Sequence, residues 1–247
     1  MDMLADRMNR VASSPTLKVG LEAARLRRTG ADVVDFGAGE PDFSTPPSAK
    51  AEAKTAIDAD FTKYTANAGI DELKEAIAHR YRSAYGVDYS PGQVIVTAGG
   101  KQALYNTAMA LFGSRDEVVT HSPGWPSIPE QIRLADATPV MVRTDAEDGF
   151  RVKSKAILSA LTARTRGIII NSPGNPTGAV ISEGDLALIA DEAKARGIWV
   201  VLDLCYERLI YESVPHNLPM VLWSRMPELS IVAGSMSVSY THLTLPT

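Results

Sequence analysis

Apolar residues follow two patterns that alternate along this chain. In residues 71–85 they recur every four positions, at Leu73, Ile77, Tyr81 and Tyr85, which predicts an amphipathic helix. Elsewhere, short apolar runs with β-branched residues predict buried strands. These runs are residues 93–97, 117–120, 139–143, 167–170, 199–204 and 229–233.

Helix signals stand between the predicted strands. Residues 101–112 predict one helix, and a second follows Ser182, which can cap its start, while Gly197 can end it. Residues 1–30 predict a short arm and one helix, and residues 37–47, rich in glycine and proline, predict a loop at a domain junction. Strands alternating with helices indicate an α/β domain with a largely parallel sheet, in which ligands bind at the carboxyl ends of the strands.

The composition narrows the class of protein. Of 247 residues, 45% are hydrophobic and 22% are charged, and the net charge of −4 gives no basic surface for nucleic acid. The single cysteine excludes an internal disulfide, and we find no secretory leader and no apolar run of about 18 residues. We expect a cytoplasmic protein that binds neither nucleic acid nor membranes, and we predict no metal site.

A glycine pair follows the first predicted strand. After residues 93–97 come Gly99, Gly100 and Lys101, at the start of a predicted helix. Glycines let backbone N–H groups approach an anion, and a helix N-terminus favours negative charge, so the segment can bind a phosphate. An ordinary turn between a strand and a helix has the same composition, so this motif by itself is weak.

A rigid loop follows residues 167–170. In Asn171–Gly178, two prolines and two glycines restrict the backbone, and Pro176 holds Asn175 in extended geometry. The Asn175 amide can donate to a phenolate or a carboxylate. A simple turn needs fewer constrained residues, so we interpret the loop as functional.

Asp203 lies at the end of a predicted strand, and Tyr206 and Trp125 follow predicted strands. A buried carboxylate such as Asp203 is costly unless it is paired, and a protonated ring nitrogen, a structural salt bridge or a helix cap would each supply a partner. Tyr206 could reach the same ligand. Trp125 lies in a loop with proline and glycine, where its ring could stack on a planar ligand or fill the core.

Together these segments fit a flat, phosphorylated, pyridine-like ligand. The phosphate would lie at Gly99–Lys101, the ring face on Trp125, the ring hydroxyl at Asn175 and Tyr206, and the ring nitrogen at Asp203. A pyridinium that a carboxylate keeps protonated is an electron sink, which is the chemistry of pyridoxal 5′-phosphate (PLP).

The order of these motifs resembles that of class I aminotransferases. The segments are Gly37-Ala-Gly-Glu-Pro-Asp-Phe43, Tyr64, Val96-Thr-Ala-Gly-Gly-Lys-Gln-Ala-Leu-Tyr-Asn106, Pro123-Gly-Trp125, Asn171-Ser-Pro-Gly-Asn-Pro-Thr-Gly178 and Asp203-Leu-Cys-Tyr206. The segments that contain Gly-Glu-Pro-Asp-Phe and Asn-Pro-Thr-Gly are together highly specific for this family. The resemblance implies PLP as cofactor and an α/β fold of PLP-transferase type I. That fold has a large domain with a mostly parallel sheet and helices on both faces, and we expect only the N-terminal part of its small domain here.

The resemblance also implies roles for single residues. Gly39 would lie near the substrate carboxylate, and Asn175 would contact both that carboxylate and the ring hydroxyl, with Trp125 on the ring and beside the substrate. Tyr64 is similar to the tyrosine that reaches across a homodimer to the phosphate of the neighbouring subunit's cofactor. Ser235 is similar to a phosphate-binding serine.

The remaining family positions match residues described above. The family's phosphate loop matches Gly99, Gly100 and Lys101. Its partner for the pyridinium nitrogen matches Asp203, and its second donor to the ring hydroxyl matches Tyr206.

The pattern breaks at position 238. The family has a lysine after Ser-x-Ser, and this lysine carries the cofactor as a Schiff base, whereas here Ser235-Met-Ser237 is followed by Val238, which has no amine. We therefore expect a chain truncated before its catalytic lysine, without catalytic activity. A foreign or out-of-frame tail explains residues 238–247 better than an evolved loss of function, because the cofactor residues upstream are retained.

We predict three segments: a 1–47 arm with a partial small domain, an incomplete PLP-binding large domain over 48–237, and the tail 238–247. The predicted function of the full-length parent is PLP-dependent transfer of an amino group from an aspartate-like or aromatic L-amino acid to a 2-oxo acid such as 2-oxoglutarate. The alternatives are another fold type I enzyme, such as a C–S lyase or a decarboxylase, and a non-catalytic PLP-binding fragment. A nicotinamide-binding Rossmann domain is excluded because Gly37 and Gly39 lack the third glycine.

Overall fold

The structure is a computed structural model that describes residues 5–12, 15–35, 37, 39, 43–211 and 216–236. The α-helices in these residues are α1 (Pro15–Arg28), α2 (Pro47–Asp58), α3 (Asp71–Tyr85), α4 (Gly100–Leu111), α5 (Ser127–Leu134), α6 (Ser154–Ser159), α7 (Glu183–Arg196) and α8 (Leu218–Arg225). The strands are β1 (Glu117–Ser122), β2 (Thr138–Arg143), β3 (Thr165–Asn171), β4 (Trp199–Asp203) and β5 (Ser230–Ala233).

All five strands form one parallel sheet in the order β2-β1-β3-β4-β5. The central strands β3 and β4 are buried along most of their length, and their register sets Asn171 beside Asp203. Asp203 is in turn beside Ala233, the last residue of β5. The predicted parallel α/β domain is therefore confirmed, and the carboxyl ends of all five strands lie at one edge.

Two hydrophobic clusters cover the two faces of the sheet. Ile168 and Ile170 point to the cluster that α6, α7 and α8 complete, whereas Ile169 points to the cluster that α4 and α5 complete. This alternation follows from the two-residue period of a strand. It explains why β3 is a continuous apolar run, since both of its faces are buried under helices.

The strongest helix signals are confirmed at their ends. Helix α3 spans the residues that the four-residue repeat predicts, and Gly86 ends it in the left-handed conformation. Helix α7 begins after Ser182, whose hydroxyl oxygen accepts a hydrogen bond from the Asp185 N–H at 3.0 Å. Gly197 ends this helix with a φ of +67°.

The strand predicted over residues 93–97 is wrong. Residues 91–93 form a 3₁₀ turn, and Val94 is extended, but residues 94–97 pair with no strand among the described residues. The Val96 N–H donates to the Ala68 carbonyl at 2.9 Å, and the Ile95 side chain is 72% exposed. The apolar run fits an extended backbone, but a strand also requires a neighbouring ladder.

The predicted division into segments stays a prediction. The boundary after residue 47 falls at the first residue of α2, and the predicted tail, residues 238–247, lies outside the described residues. Among the helices described, none is long and apolar enough to span a lipid bilayer.

Candidate active site

The side chains of the candidate site follow the carboxyl ends of neighbouring strands. Strands β1, β3, β4 and β5 run in the same direction, so their last residues lie at one edge of the sheet. These strand ends and the loops that follow them carry five of the ten residues that the sequence predicts for the site. These residues are Trp125 after β1, Asn175 after β3, Asp203 and Tyr206 at and after β4, and Ser235 after β5.

Asp203 is a deeply buried acidic group at this edge. It is 4% exposed, and its carboxylate accepts hydrogen bonds from Asn171 Nδ2 at 3.1 Å and from the Cys205 N–H at 3.0 Å. Burial raises the pKa of Asp203 to about 6, and the two hydrogen bonds oppose this rise. Its hydrogen-bond partners in the described part of the chain are neutral, so a cation beside this carboxylate would be stabilised.

His121, on β1, supports the site and was missed by the sequence analysis. Its Nε2 accepts a hydrogen bond from the Asn171 N–H at 3.3 Å, and its Nδ1 lies 3.2 Å from the Pro123 carbonyl oxygen. This arrangement requires the neutral ring with its proton on Nδ1. Burial lowers the pKa of His121, which agrees with a neutral imidazole. A histidine directly after the predicted strand at residues 117–120 was the signal that could have identified it.

Asn175 and Tyr206 meet beside Asp203. Asn175 Nδ2 donates to the Tyr206 hydroxyl oxygen at 3.2 Å, and the Asn175 N–H donates to Asn171 Oδ1 at 2.8 Å. Asn171 therefore joins the Asn175 loop to the Asp203 carboxylate. Burial raises the pKa of Tyr206, so its phenol is protonated at neutral pH and can donate to an acceptor on a ligand.

Gly99, Gly100 and Ser235 lie together at the start of α4. Gly99 has a φ of +82°, which favours glycine, and no side chain caps the helix there. A Cβ added to Gly100 would lie 3.5 Å from both Ser235 Cβ and the Gly234 carbonyl oxygen, so the loop after β5 packs against the helix start. The uncapped N–H groups of α4 and the nearby Ser235 hydroxyl suit an anion.

Lys101 and Trp125 are in contact. The Lys101 Nζ lies 5.3 Å from the centre of the Trp125 ring, which is within the range of a cation–π interaction. Trp125 is half-buried and packs against the core cluster that α4 and α5 complete. Trp125 therefore contributes to the core, and its stacking on a planar ligand stays a prediction.

Tyr64 and Gly39 are not brought to this edge by contacts among the described residues. The Tyr64 side chain is fully exposed, and a Cβ added to Gly39 would meet nothing within 4 Å. The predicted lysine position, Val238, lies outside the described residues. Among the residues that the structure does describe, no group of three or more His, Cys, Asp or Glu side chains could hold a metal ion.

The fold is that of a parallel α/β protein in which most of the candidate site residues gather at the carboxyl edge of the sheet. The family model "Aminotransferase class I and II" matches residues 31–241. The chain belongs to this family. The predicted fold, the large domain of PLP-transferase type I, is confirmed by solved structures of aspartate aminotransferases that superimpose on the chain.

Relatives and solved structures agree on this family. The chain is 39% identical to an aspartate/prephenate aminotransferase of Cereibacter sphaeroides over 97% of the chain and 60% of the relative, and 35% identical to an aspartate aminotransferase of Bacillus subtilis over 96% and 61%. The aspartate aminotransferase of Thermus thermophilus with maleate superimposes with a TM-score of 0.89 at 40% identity, covering 94% of the chain and 60% of that structure. The chain thus spans about 60% of the length of the curated relatives it matches.

Proposed function

We propose that this chain binds PLP at the carboxyl edge of its sheet, and that the whole protein transfers an amino group from an L-amino acid to a 2-oxo acid. When bound, PLP supplies a protonated pyridine ring that withdraws electrons from the carbon that reacts. The family membership supports the reaction class. The arrangement of the described side chains supports the cofactor.

The observation that carries the proposal is the buried carboxylate of Asp203. Burial of Asp203 without a cationic partner among the described residues raises its pKa to about 6, so the carboxylate favours a nearby positive charge. A pyridinium N–H would supply that charge and one hydrogen bond. Asn171 and the Cys205 N–H fix the carboxylate in place, so its oxygen can hold the ring proton without rotating.

The remaining side chains would bind the other edges of the ring. We assign the phosphate to Gly99, Gly100, Lys101 and Ser235, at the uncapped start of α4. Tyr206 and Asn175, which already contact each other at 3.2 Å, would orient the ring hydroxyl, and Trp125 would cover one ring face. The assignment of Gly39 and Asn175 to the substrate carboxylate rests on the resemblance of their motifs.

Aspartate is the amino donor that the comparisons favour. The relatives are described as aspartate or aspartate/prephenate aminotransferases, and one similar structure was solved with maleate, which is a dicarboxylate. We therefore propose a dicarboxylic amino acid as donor and a 2-oxo acid such as 2-oxoglutarate as acceptor. A C–S lyase or a decarboxylase has no observation of its own in its favour.

A titration with PLP tests the cofactor. We expect the chain to bind PLP saturably, with a change in absorbance of the cofactor or quenching of the tryptophan fluorescence. Asp203→Asn should weaken binding by about tenfold or more, because a neutral amide no longer favours the pyridinium. Asp191→Asn is the control, since this exposed aspartate pairs with Arg225 and should leave binding unchanged. Absence of saturable binding, or equal binding by Asp203→Asn, would overturn the proposal.

An assay with aspartate and 2-oxoglutarate tests the prediction that Val238 makes this chain inactive. Valine supplies no amine for the cofactor or for proton transfer, so oxaloacetate should form no faster than with Asp203→Asn. Faster formation by the unmodified chain would contradict the prediction of inactivity. Reversible PLP binding without turnover would favour the non-catalytic PLP-binding alternative for this chain.

We also propose that the protein is a homodimer. This part of the proposal rests on the resemblance to class I aminotransferases. Tyr64 is fully exposed and does not contact the site of its own chain among the described residues. The resemblance to class I aminotransferases implies that this tyrosine serves the cofactor of a second copy. We therefore propose that two copies associate and that each supplies Tyr64 to the other's phosphate site.

A further inference from the structure

Helix α3 bonds both oxygens of a buried carboxylate next to the site. Glu207 directly follows Tyr206 and is 4% exposed. Arg80 Nη2 donates to Glu207 Oε1, and the Tyr85 hydroxyl donates to Glu207 Oε2. Charge-assisted hydrogen bonds to both oxygens fix the orientation of a carboxylate, so this side chain cannot rotate without breaking one of them.

The same helix also contacts the loop after β5. The Arg80 guanidinium carbon lies 5.3 Å from the centre of the Tyr81 ring and 5.7 Å from that of Tyr85, so the three side chains form one packed group. The Tyr81 hydroxyl is close to Gly234, where an added Cβ would approach it to 3.2 Å. Helix α3 thus contacts the loop that carries Tyr206 and the loop that leads to Ser235.

The turn that carries Tyr206 is fixed at both of its ends. On one side the Cys205 N–H donates to Asp203 Oδ1 at 3.0 Å. On the other side the Glu207 N–H donates to the Leu204 carbonyl at 3.1 Å, and the Glu207 side chain is bonded to α3. Tyr206 lies between these two points, and its hydroxyl reaches the Asn175 amide.

We propose that Glu207, held by Arg80 and Tyr85, is a positioning residue that sets the Tyr206 hydroxyl at the ring hydroxyl of PLP. This inference rests on the proposed function. Because the carboxylate of Glu207 is bonded to a rigid helix, the backbone next to it is fixed, and the phenol of Tyr206 keeps its direction. Losing the carboxylate lets the turn shift while the sheet and its core remain intact.

A double-mutant cycle tests whether Glu207 acts through Tyr206. The dissociation constant of PLP is measured for the unmodified chain, Glu207→Gln, Tyr206→Phe and the double variant. Each single variant should weaken PLP binding by about tenfold, the lower end of the loss seen when residues that orient metal ligands are removed. The double variant should bind PLP no more weakly than Tyr206→Phe, because Glu207 then has no hydroxyl left to position.

The outcomes separate this inference from the proposed function. If the losses of the two single variants multiply in the double variant, or if Glu207→Gln binds PLP as tightly as the unmodified chain, the inference is overturned and the proposed function stands. If the unmodified chain binds no PLP, the proposed function fails and the inference fails with it. Asp88→Asn is the matched control, because it removes an exposed ion pair with Arg82 of the same helix and should not change PLP binding.

A milder variant covers the case in which Glu207→Gln does not fold. Tyr85→Phe removes one of the two hydrogen bonds to Glu207 and leaves the Arg80 ion pair. Tyr85→Phe should weaken PLP binding in a chain that retains Tyr206. In a chain that already carries Tyr206→Phe, it should leave PLP binding unchanged. An equal loss in both backgrounds would mean that the cluster contributes only to stability, and the inference would be wrong.

Discussion

The Asp203 side chain is buried, and its hydrogen-bond partners are neutral. Its titration should therefore have a measurable effect on the free energy of unfolding. Its carboxylate is bonded to Asn171 Nδ2 and the Cys205 N–H, and burial raises its pKa to about 6. An unfolded aspartate titrates near about 3.9. The folded chain without cofactor therefore binds this proton more tightly than the unfolded chain does.

We expect the free energy of unfolding to fall as the pH rises from about 4 to about 6, because the folded state keeps a proton that the unfolded state has lost. A difference of about two pKa units corresponds to a loss of about 3 kcal/mol from this group. The Asp203→Asn variant should lack this loss. Urea unfolding at a series of pH values, without PLP, measures the difference between the two proteins.

His121 titrates in the opposite direction and must be separated from Asp203. Burial lowers its pKa, so the unfolded state binds its proton more tightly and stability is lost as the pH falls through about 6.5. Both proteins retain His121, so its contribution cancels in the comparison. A difference between the unmodified chain and Asp203→Asn that does not change with pH would contradict the prediction.

Among the strands, β3 depends on a glycine for its contact with the end of α4. A Cβ added to Gly167 would come within 2.5 Å of Phe112 Cζ, and Phe112 is buried at the end of that helix. We expect Gly167→Ala to lower the free energy of unfolding by about 1–3 kcal/mol, because the buried ring has no room to move. Thermal or urea unfolding measures this change.

Gly113→Ala is the matched control for Gly167→Ala. An added Cβ at Gly113 would meet nothing within 4 Å, so the variant should have the stability of the unmodified chain or slightly more. A Gly167→Ala protein that is as stable as Gly113→Ala would show that Phe112 repacks without cost. The close packing of α4 on β3 would then be less restrictive than the structure implies.

Helix α7 offers a test of a cap that the sequence predicted. The Ser182 hydroxyl oxygen accepts the Asp185 N–H at 3.0 Å, so Ser182→Ala leaves one helix N–H without its partner. We expect a loss of about 1 kcal/mol in unfolding free energy. Ser224→Ala is the control, because the Ser224 hydroxyl bonds the Val221 carbonyl at 3.2 Å inside α8 and caps nothing. Equal losses in both variants would contradict a specific capping role.

At the scale of the whole molecule, the question is whether two chains share each site. Tyr64 is fully exposed, whereas Ser235 lies beside Gly100 at the start of α4. If Tyr64 serves a second copy, Tyr64→Phe and Ser235→Ala should each weaken PLP binding. In a mixed dimer one site then carries both defects and the other carries neither.

Mixing the two variants should therefore restore tight PLP sites. With random pairing, about a quarter of all sites should regain the affinity of the unmodified chain. Each variant mixed with itself is the control. No gain on mixing, while both single variants bind weakly, would mean that Tyr64 acts within its own chain or that the chains do not pair.

Local sequence patterns were sufficient to predict the helices whose periodicity and end residues lie within a short segment of the chain. Helix α3 follows from a four-residue apolar repeat, and α7 follows from Ser182 and Gly197, because caps and periodicity act between residues close in sequence. The motifs also identified Asp203, Asn175 and Tyr206 as candidates, since each lies at the end of a predicted strand or in the loop that follows one. The run at residues 93–97 failed because a strand needs a hydrogen-bonded neighbour that no local pattern specifies.

The sequence by itself therefore determined the α/β class, the parallel sheet and which residues stand at its carboxyl edge. Only the tertiary structure decided the partners of those residues. His121 bonds the Asn171 backbone 50 positions away, and Arg80 bonds Glu207 at a separation of 127 positions. Contacts of that kind depend on strand order and helix packing, which are set by the burial of the whole core, so no short segment of the chain contains the information.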